Sequence, residues 1–200
     1  ADSSLCYHRS RKEYTMTSRD IIILVAGFLF LLWFSWWFSI RERRFHGIPR
    51  FFGFLGLFLL TLFNYRFWFL DAFSFRQIVS WLILCLSLYY VASALYFYIK
   101  YAKPEGMPEN TTRLISKGIY RYLRHPMYAS LVFLALGVFL KNPDLRSSIL
   151  ATLCAVAFYI TARVEEGEMI GKFGSDYEKY RKSTGMFLPK IFPLFKSYKK

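Results

Sequence analysis

Charge-free apolar runs divide the chain. Ile21 to Ile40 is 20 residues without a charged side chain, enough to span a hydrocarbon core of about 30 Å as a helix. Arg41-Glu42-Arg43-Arg44 ends it. A second block runs from Phe51 to about Leu70, with Asn64 and Arg66 near its far end, where an arginine can snorkel to the headgroups. The third block, Gln77 to Ile99, is 23 residues and uncharged. Two shorter runs follow, Met127–Leu140 and Ser147–Ala162, with Lys141-Asn142-Pro143-Asp144 at the start of the polar stretch between them. Pro143 removes a backbone donor and Asn-Pro favours a turn, so the pair reads as a helical hairpin. Its 14- and 16-residue arms reach only about 21–24 Å at 1.5 Å per residue. Each is expected to extend into its polar flank or to sit in thinned bilayer.

The polar segments carry the rest of the pattern. Residues 100–126 hold six Lys/Arg and include Pro104, Gly106 and Pro108, a long loop of the kind that often carries function. The tail from Arg163 is charged, and its Phe173, Tyr177 and Tyr180 fall at i, i+4 and i+7, which predicts an amphipathic helix. Composition fixes the class. With 22 Phe and 15 Tyr in 200 residues, a soluble domain could not bury the rings. The net charge of +14 lies in basic blocks between apolar ones, as in a multi-spanning protein among anionic lipids. With the N-terminus outside, the loops at 41–50 and 100–126 and the tail 163–200 hold 19 Lys/Arg against 8 on the other side, the orientation that the positive-inside rule favours. The expected fold is all-α: a polytopic membrane protein of about five transmembrane helices with a C-terminal helical hairpin and a cytosolic cap. The divisions are a polar segment 1–19, a transmembrane domain 20–162 and a cytosolic helix and tail 163–200.

Several features read plainly. Cys6, Cys85 and Cys154 are scattered, which argues against a disulfide framework or a zinc site; no metal is expected. No cleavable signal peptide is evident. Gly53 and Gly56 lie in an apolar span and read as helix packing, and Trp33, Trp36 and Trp37 as an interfacial belt. Asn110-Thr111-Thr112 matches a glycosylation acceptor, but on the cytosolic side it is a chance match. Lys196 to Lys200 reads as a solvated or lipid-facing tail.

Folding the hairpin has a consequence. Its turn centres near Pro143; Arg124-His125-Pro126 lie about 18 residues before it and Arg163 to Glu166 about 20 after it. Both sets therefore meet at the cytosolic surface. One offers cations, an imidazole and tyrosines; the other offers Glu165, Glu166 and Glu168. The plain reading is an interfacial anchor. The sharper one is a site for a zwitterionic or cationic ligand.

The stretch Leu114-Ile-Ser-Lys-Gly-Ile-Tyr120-Arg-Tyr-Leu-Arg124-His125-Pro126-Met127-Tyr128 resembles the signature of the isoprenylcysteine carboxyl methyltransferases and related phospholipid methyltransferases. Glu165-Glu166, Met169, Phe173-Gly174, Tyr177, Tyr180 and Pro189 resemble the family's second block, so the resemblance covers roughly residues 95–195. Ser130, where many members have Gly, and Gly167, inside what is elsewhere a longer acidic run, depart from it. The resemblance implies S-adenosylmethionine (AdoMet) as methyl donor. It implies a cofactor pocket of Leu114, Ile115, Tyr120, His125, Pro126, Met127 and Tyr128, completed by Glu165 and Glu166. Carboxylates suit an ammonium or ribose hydroxyls, and tyrosine faces suit adenine and a sulfonium. Of the arginines, Arg163 is the first candidate to orient an acceptor carboxylate and Arg124 the second.

The expected activity is AdoMet-dependent methyl esterification of a C-terminal S-prenylated cysteine or a similar lipid-borne carboxylate. The expected partners are that acceptor and membrane lipids, with no nucleic acid. The membrane would be the cell membrane of a prokaryote or the endoplasmic reticulum of a eukaryote. The alternatives are a phospholipid amine methyltransferase, a membrane NADPH-dependent reductase and a non-enzymatic membrane adaptor.

Overall fold

All five apolar segments form helices in the computed structural model, which describes residues 17–37, 46–102 and 113–190. The basic stop at 41–44, Pro104 to Pro108, the Asn110 sequon, Cys6 and the Lys196–Lys200 tail lie outside the described residues. α1 (Ser18–Ser35) starts at a capping box in which the Asp20 carboxylate accepts from the Thr17 amide at 2.9 Å and Thr17 Oγ1 accepts from the Asp20 amide at 3.4 Å. α2 (Gly47–Asn64) runs into a 3₁₀ turn at Tyr65–Phe67. α3 (Phe75–Tyr101) is capped by the Ser74 side chain. α4 (Pro126–Phe139) opens on a proline, whose missing N–H costs nothing at that position. α5 (Leu145–Phe173) is capped by Asp144, whose carboxylate accepts from the Ser147 amide at 2.7 Å. α6 (Ser175–Ser183) follows a break at Gly174, where φ is 53°.

Four stretches, α1, Gly47–Phe67, α3 and α5, are long and apolar enough to cross a membrane, and α4 is a shorter apolar helix beside them. The chain is an all-α polytopic membrane protein. α5 extends into its polar flank, as the hairpin arms were expected to do. α4 does not: Pro126 cannot continue a helix backwards, so its 14 residues cover only about 21 Å. The second span begins at Gly47 and ends at Phe67, its α-helical part at Asn64, where Phe51 and about Leu70 were expected. Asn64 is fully buried and donates to the Leu60 carbonyl and to Ser147 Oγ, each at 3.0 Å, which fixes the turn. Arg66 lies 3.4 Å from the Asp20 carboxylate across the bundle.

The hairpin α4–α5 is the centre, with α3 against α4, α2 against α5 and α1 outside on α2. Leu57, Leu60, Ala135, Val138, Cys154 and Phe158 form the buried core. Gly53 and Gly56 let α2 approach Phe158 and Cys154 closely, the packing role expected of them. Hydroxyls pin α3 to α4: Ser80 Oγ donates to the Gly137 carbonyl and Ser87 Oγ to that of Ser130, both at 2.7 Å. With Ser87 level with Ser130, the first two-thirds of α3 lie beside α4. The remainder, from Ala94 to Ala102, packs on Ile115 and Tyr120 of the segment before α4.

At the hairpin turn Lys141 is wholly buried. Its ammonium donates to Gln77 Oε1 at 3.0 Å and lies 3.7 Å from the centroid of the Trp81 ring. Arg76 donates to the Leu140 carbonyl at 2.7 Å and to that of Lys141. Burial, with the Arg76 charge second, draws the Lys141 ammonium below the ordinary lysine range. Lys141→Met, of similar volume, is expected to leave the melting temperature in detergent nearly unchanged. Lys141→Glu would bury an anion against a carbonyl oxygen and a ring face, and is expected to cost about 3–5 kcal/mol. Thermal unfolding of both variants checks this.

Candidate functional site

The ends of the hairpin opposite its turn carry the charged residues. His125 is the N-cap of α4, with φ −123° and ψ 62°, outside the helical region that a following proline disfavours. Arg124 precedes it. α5 continues past Ala162, the last residue of the apolar run, and brings Arg163, Glu165 and Glu166 alongside. Arg124 Nε lies 2.6 Å from Glu166 Oε1, with both side chains at least nine-tenths buried. His125 Nε2 is 3.7 Å from the same oxygen, and His125 Nδ1 is 3.8 Å from Glu165 Oε2. Arg163 Nη1 and Arg181 Nε approach Glu166 Oε2 at 3.8 and 4.0 Å. These last contacts are too long for hydrogen bonds.

Aromatic and apolar residues wall this ion cluster. The His125 ring stacks on Tyr128 at 5.8 Å between centroids, and Tyr128 stacks on Phe158 of the core at 6.1 Å. Ile115 and Tyr120 are buried with Ala94 and Ala102, and Met127 packs against them. Leu114 is half-buried one residue earlier, and Pro126 is fully buried. The structure thus brings Arg124, His125, Arg163, Glu165 and Glu166 into one cluster, with Tyr128 stacked on it. The group of Ile115, Tyr120 and Met127 adjoins it.

The tail closes over this arrangement. Phe173, Tyr177 and Tyr180 do not share one continuous helix; the break at Gly174 leaves Phe173 on α5 and turns the tyrosines on α6 inward. Tyr180 Oη lies 2.6 Å from the Tyr120 carbonyl and 3.2 Å from that of Leu123. The Gly185 amide donates to the Tyr122 carbonyl at 3.0 Å, the Arg124 amide to Gly185 at 2.9 Å and the His125 amide to Met186 at 3.2 Å. Arg124 Nη1 donates to the Arg181 carbonyl at 3.1 Å and to that of Thr184. A Cβ at Gly185 would meet the Leu188 carbonyl oxygen at 1.7 Å, so only glycine allows this crossing. At Gly118, φ is +59° and a Cβ would strike the Phe97 ring, so glycine is also required where the cap sits on α3.

The electrostatics follow from burial. It pushes the Tyr120, Tyr177 and Tyr180 hydroxyls well above the ordinary tyrosine value, with the Glu165 charge second at Tyr120 and the Glu166 charge second at Tyr177. All three stay neutral donors at physiological pH. Three buried polar atoms of the cluster have no hydrogen-bond partner among the described residues: His125 Nε2, Glu165 Oε2 and Glu166 Oε2. Buried polar atoms are nearly always paired, so these await partners. Sequence reasoning missed Arg181, the backbone of 184–186 and the contact of buried His46, whose Nδ1 lies 2.9 Å from Glu168 Oε1. Charge and turn residues in the tail were the only signals for the first two, and nothing in the sequence paired His46 with Glu168.

A family model described as phospholipid methyltransferase matches residues 75–176, from the start of α3 into α6. The protein-S-isoprenylcysteine O-methyltransferase of Schizosaccharomyces pombe (strain 972 / ATCC 24843) is 35% identical over 80 residues, which is 39% of this chain. The match spans about a third of that relative's length, 34%. The family match takes in α3, the cap segment, both hairpin arms and the carboxylate pair, and this chain belongs to the phospholipid methyltransferase family.

Proposed function

We propose that this membrane methyltransferase uses AdoMet to esterify the carboxylate of a lipid-borne acceptor, most specifically a C-terminal S-prenylated cysteine. The observation that carries this reading is a cluster with unpaired buried acceptors at the end of the apolar helices, with a half-exposed arginine on its rim. The name of the yeast relative supports the acceptor class. In this reading the cap faces the cytosol and the N-terminus lies outside, the transmembrane unit 20–162 receives the acceptor's tail, and 163–200 closes the site.

The residues fit AdoMet. Glu165 Oε2 and Glu166 Oε2 are acceptors without donors among the described residues, matched to an ammonium or to ribose hydroxyls. The Tyr128 face, stacked beside His125, suits adenine or a sulfonium. Ile115, Tyr120, Pro126 and Met127 supply the apolar wall, with Leu114 at its edge. When bound, the group supplies a methyl on sulfur: the acceptor oxygen forms the new C–O bond as the S–C bond breaks, and the electron pair stays on sulfur.

The protein's own part is positional. A carboxylate with a pKa of about 3.5 is ionised at pH 7, so no side chain has to take a proton. Alignment and exclusion of water remain. Arg124 is held through Nε by Glu166 and through Nη1 by two tail carbonyls, so it ties the site together, and the role of orienting the acceptor goes to Arg163. The tail, fastened through Tyr180 and Gly185, keeps water out.

The family's description favours one second reading, methylation of a phospholipid amine. The two differ in pH dependence. A carboxylate acceptor predicts an initial rate that is flat from pH 7 to 9. An amine must lose its proton first, so its rate would climb about tenfold per pH unit below its pKa. Initial rates over that range, with AdoMet saturating, test the reading; a tenfold climb per unit would overturn it.

A further inference from the structure

Glu166 is held from one side only. Its Oε1 takes the short Arg124 contact, while its Oε2 has no hydrogen bond among the described residues and faces two guanidiniums, Arg163 and Arg181, near 4 Å. These two differ from Arg124. Arg163 is 51% exposed and Arg181 42%, against 9% for Arg124. They arrive from different elements, one from the first polar position after the apolar run of α5 and the other from α6. The α6 end is fixed from behind, since the Arg181 carbonyl accepts from Arg124 Nη1 at 3.1 Å and from Lys190 Nζ at 3.2 Å. The backbone of Arg181 is therefore anchored while its guanidinium sits at the rim without a short partner among the described residues. Around Glu165 and Glu166 stand three guanidiniums, an excess of positive charge before His125 is considered.

We propose that Arg163 and Arg181 form a two-guanidinium clamp for the anionic head of the lipid acceptor, with Arg181 a specificity-determining residue contributed by the tail. The proposal rests on the carboxylate-acceptor reading above. Two planar guanidiniums facing one point suit a carboxylate better than a lysine pair would, because each offers paired donors. The position fits a lipid: Arg163 follows Ala162 directly, so a tail among the apolar helices brings its head to this rim. The clamp also separates substrate from product. Methyl esterification removes the acceptor's charge, so the ester loses the clamp's attraction and leaves.

The test compares binding of N-acetyl-S-farnesylcysteine with that of its methyl ester, by calorimetry on the full-length protein in nanodiscs, alongside turnover of the free acid. Wild type is expected to prefer the acid by about tenfold or more, the scale of one charged hydrogen bond. Arg181→Ala should lose most of that preference and raise the acceptor KM about tenfold at unchanged AdoMet affinity, and Arg181→Lys should recover part of it. A variant that turns over with wild-type KM and an intact acid preference overturns the clamp and leaves the methyltransferase reading standing. So does one that loses AdoMet affinity, because the arginine would then serve the cofactor's own carboxylate. Absence of turnover in wild type, with the acid preference present and lost in Arg181→Ala, removes the esterification reading and keeps the anion clamp. Absence of both removes both.

Discussion

Arg124→Ala is expected to abolish AdoMet binding and methyl transfer together. The side chain ties three things at once: it pairs with Glu166 at 2.6 Å and donates to the carbonyls of Arg181 and Thr184. Removing it leaves a nine-tenths-buried carboxylate with no short partner, a loss of about 3–5 kcal/mol. The cost falls on the tail and cap, because the hairpin core of Leu60, Val138, Cys154 and Phe158 does not use this contact. Hydrogen exchange should therefore show lost protection across 174–190 with the membrane helices still protected. Protection of the tail equal to wild type would show that Arg124 is not its fastening.

Glu166→Gln separates the scaffold from the chemistry. The amide oxygen can still accept from Arg124 Nε, so the tail is expected to stay closed and its exchange to match wild type. The charge is gone, and with it the charge-assisted bond that the unpaired Oε2 would offer an ammonium or ribose hydroxyl. Such bonds contribute about 1.5–3 kcal/mol, which is roughly 10- to 100-fold in affinity. AdoMet calorimetry should show that weakening, and a wild-type dissociation constant would remove Glu166 from the cofactor site.

Much of this was legible because the relevant signals are local. Runs without charge gave the helices, and Pro143 gave the turn. Counting back and forward from that turn brought Arg124 and His125 to Glu165 and Glu166, which lie 2.6–3.8 Å apart in the structure. What was not legible depends on tertiary register. The helical period through Phe173, Tyr177 and Tyr180 is real in the sequence, but the positive φ at Gly174 interrupts it, and a lone glycine does not announce which way the chain turns. The pairing of Leu123 with Gly185 is a single isolated bridge with no alternating pattern to reveal it. Lys141 counted only as one cation of the polar stretch between the hairpin arms; its burial against Gln77 and Trp81 depends on how the start of α3 packs on the turn. Arg181 looked like one of many tail cations, and only the fold of α6 brings it to Glu166.

The most direct measurement is transfer of a labelled methyl group from AdoMet to N-acetyl-S-farnesylcysteine by the purified protein in lipid nanodiscs. Label released by mild base is the expected result, since a methyl ester hydrolyses where an N-methyl group does not. Bound AdoMet with label that appears only in a base-stable form, or that appears nowhere, would contradict carboxyl methylation.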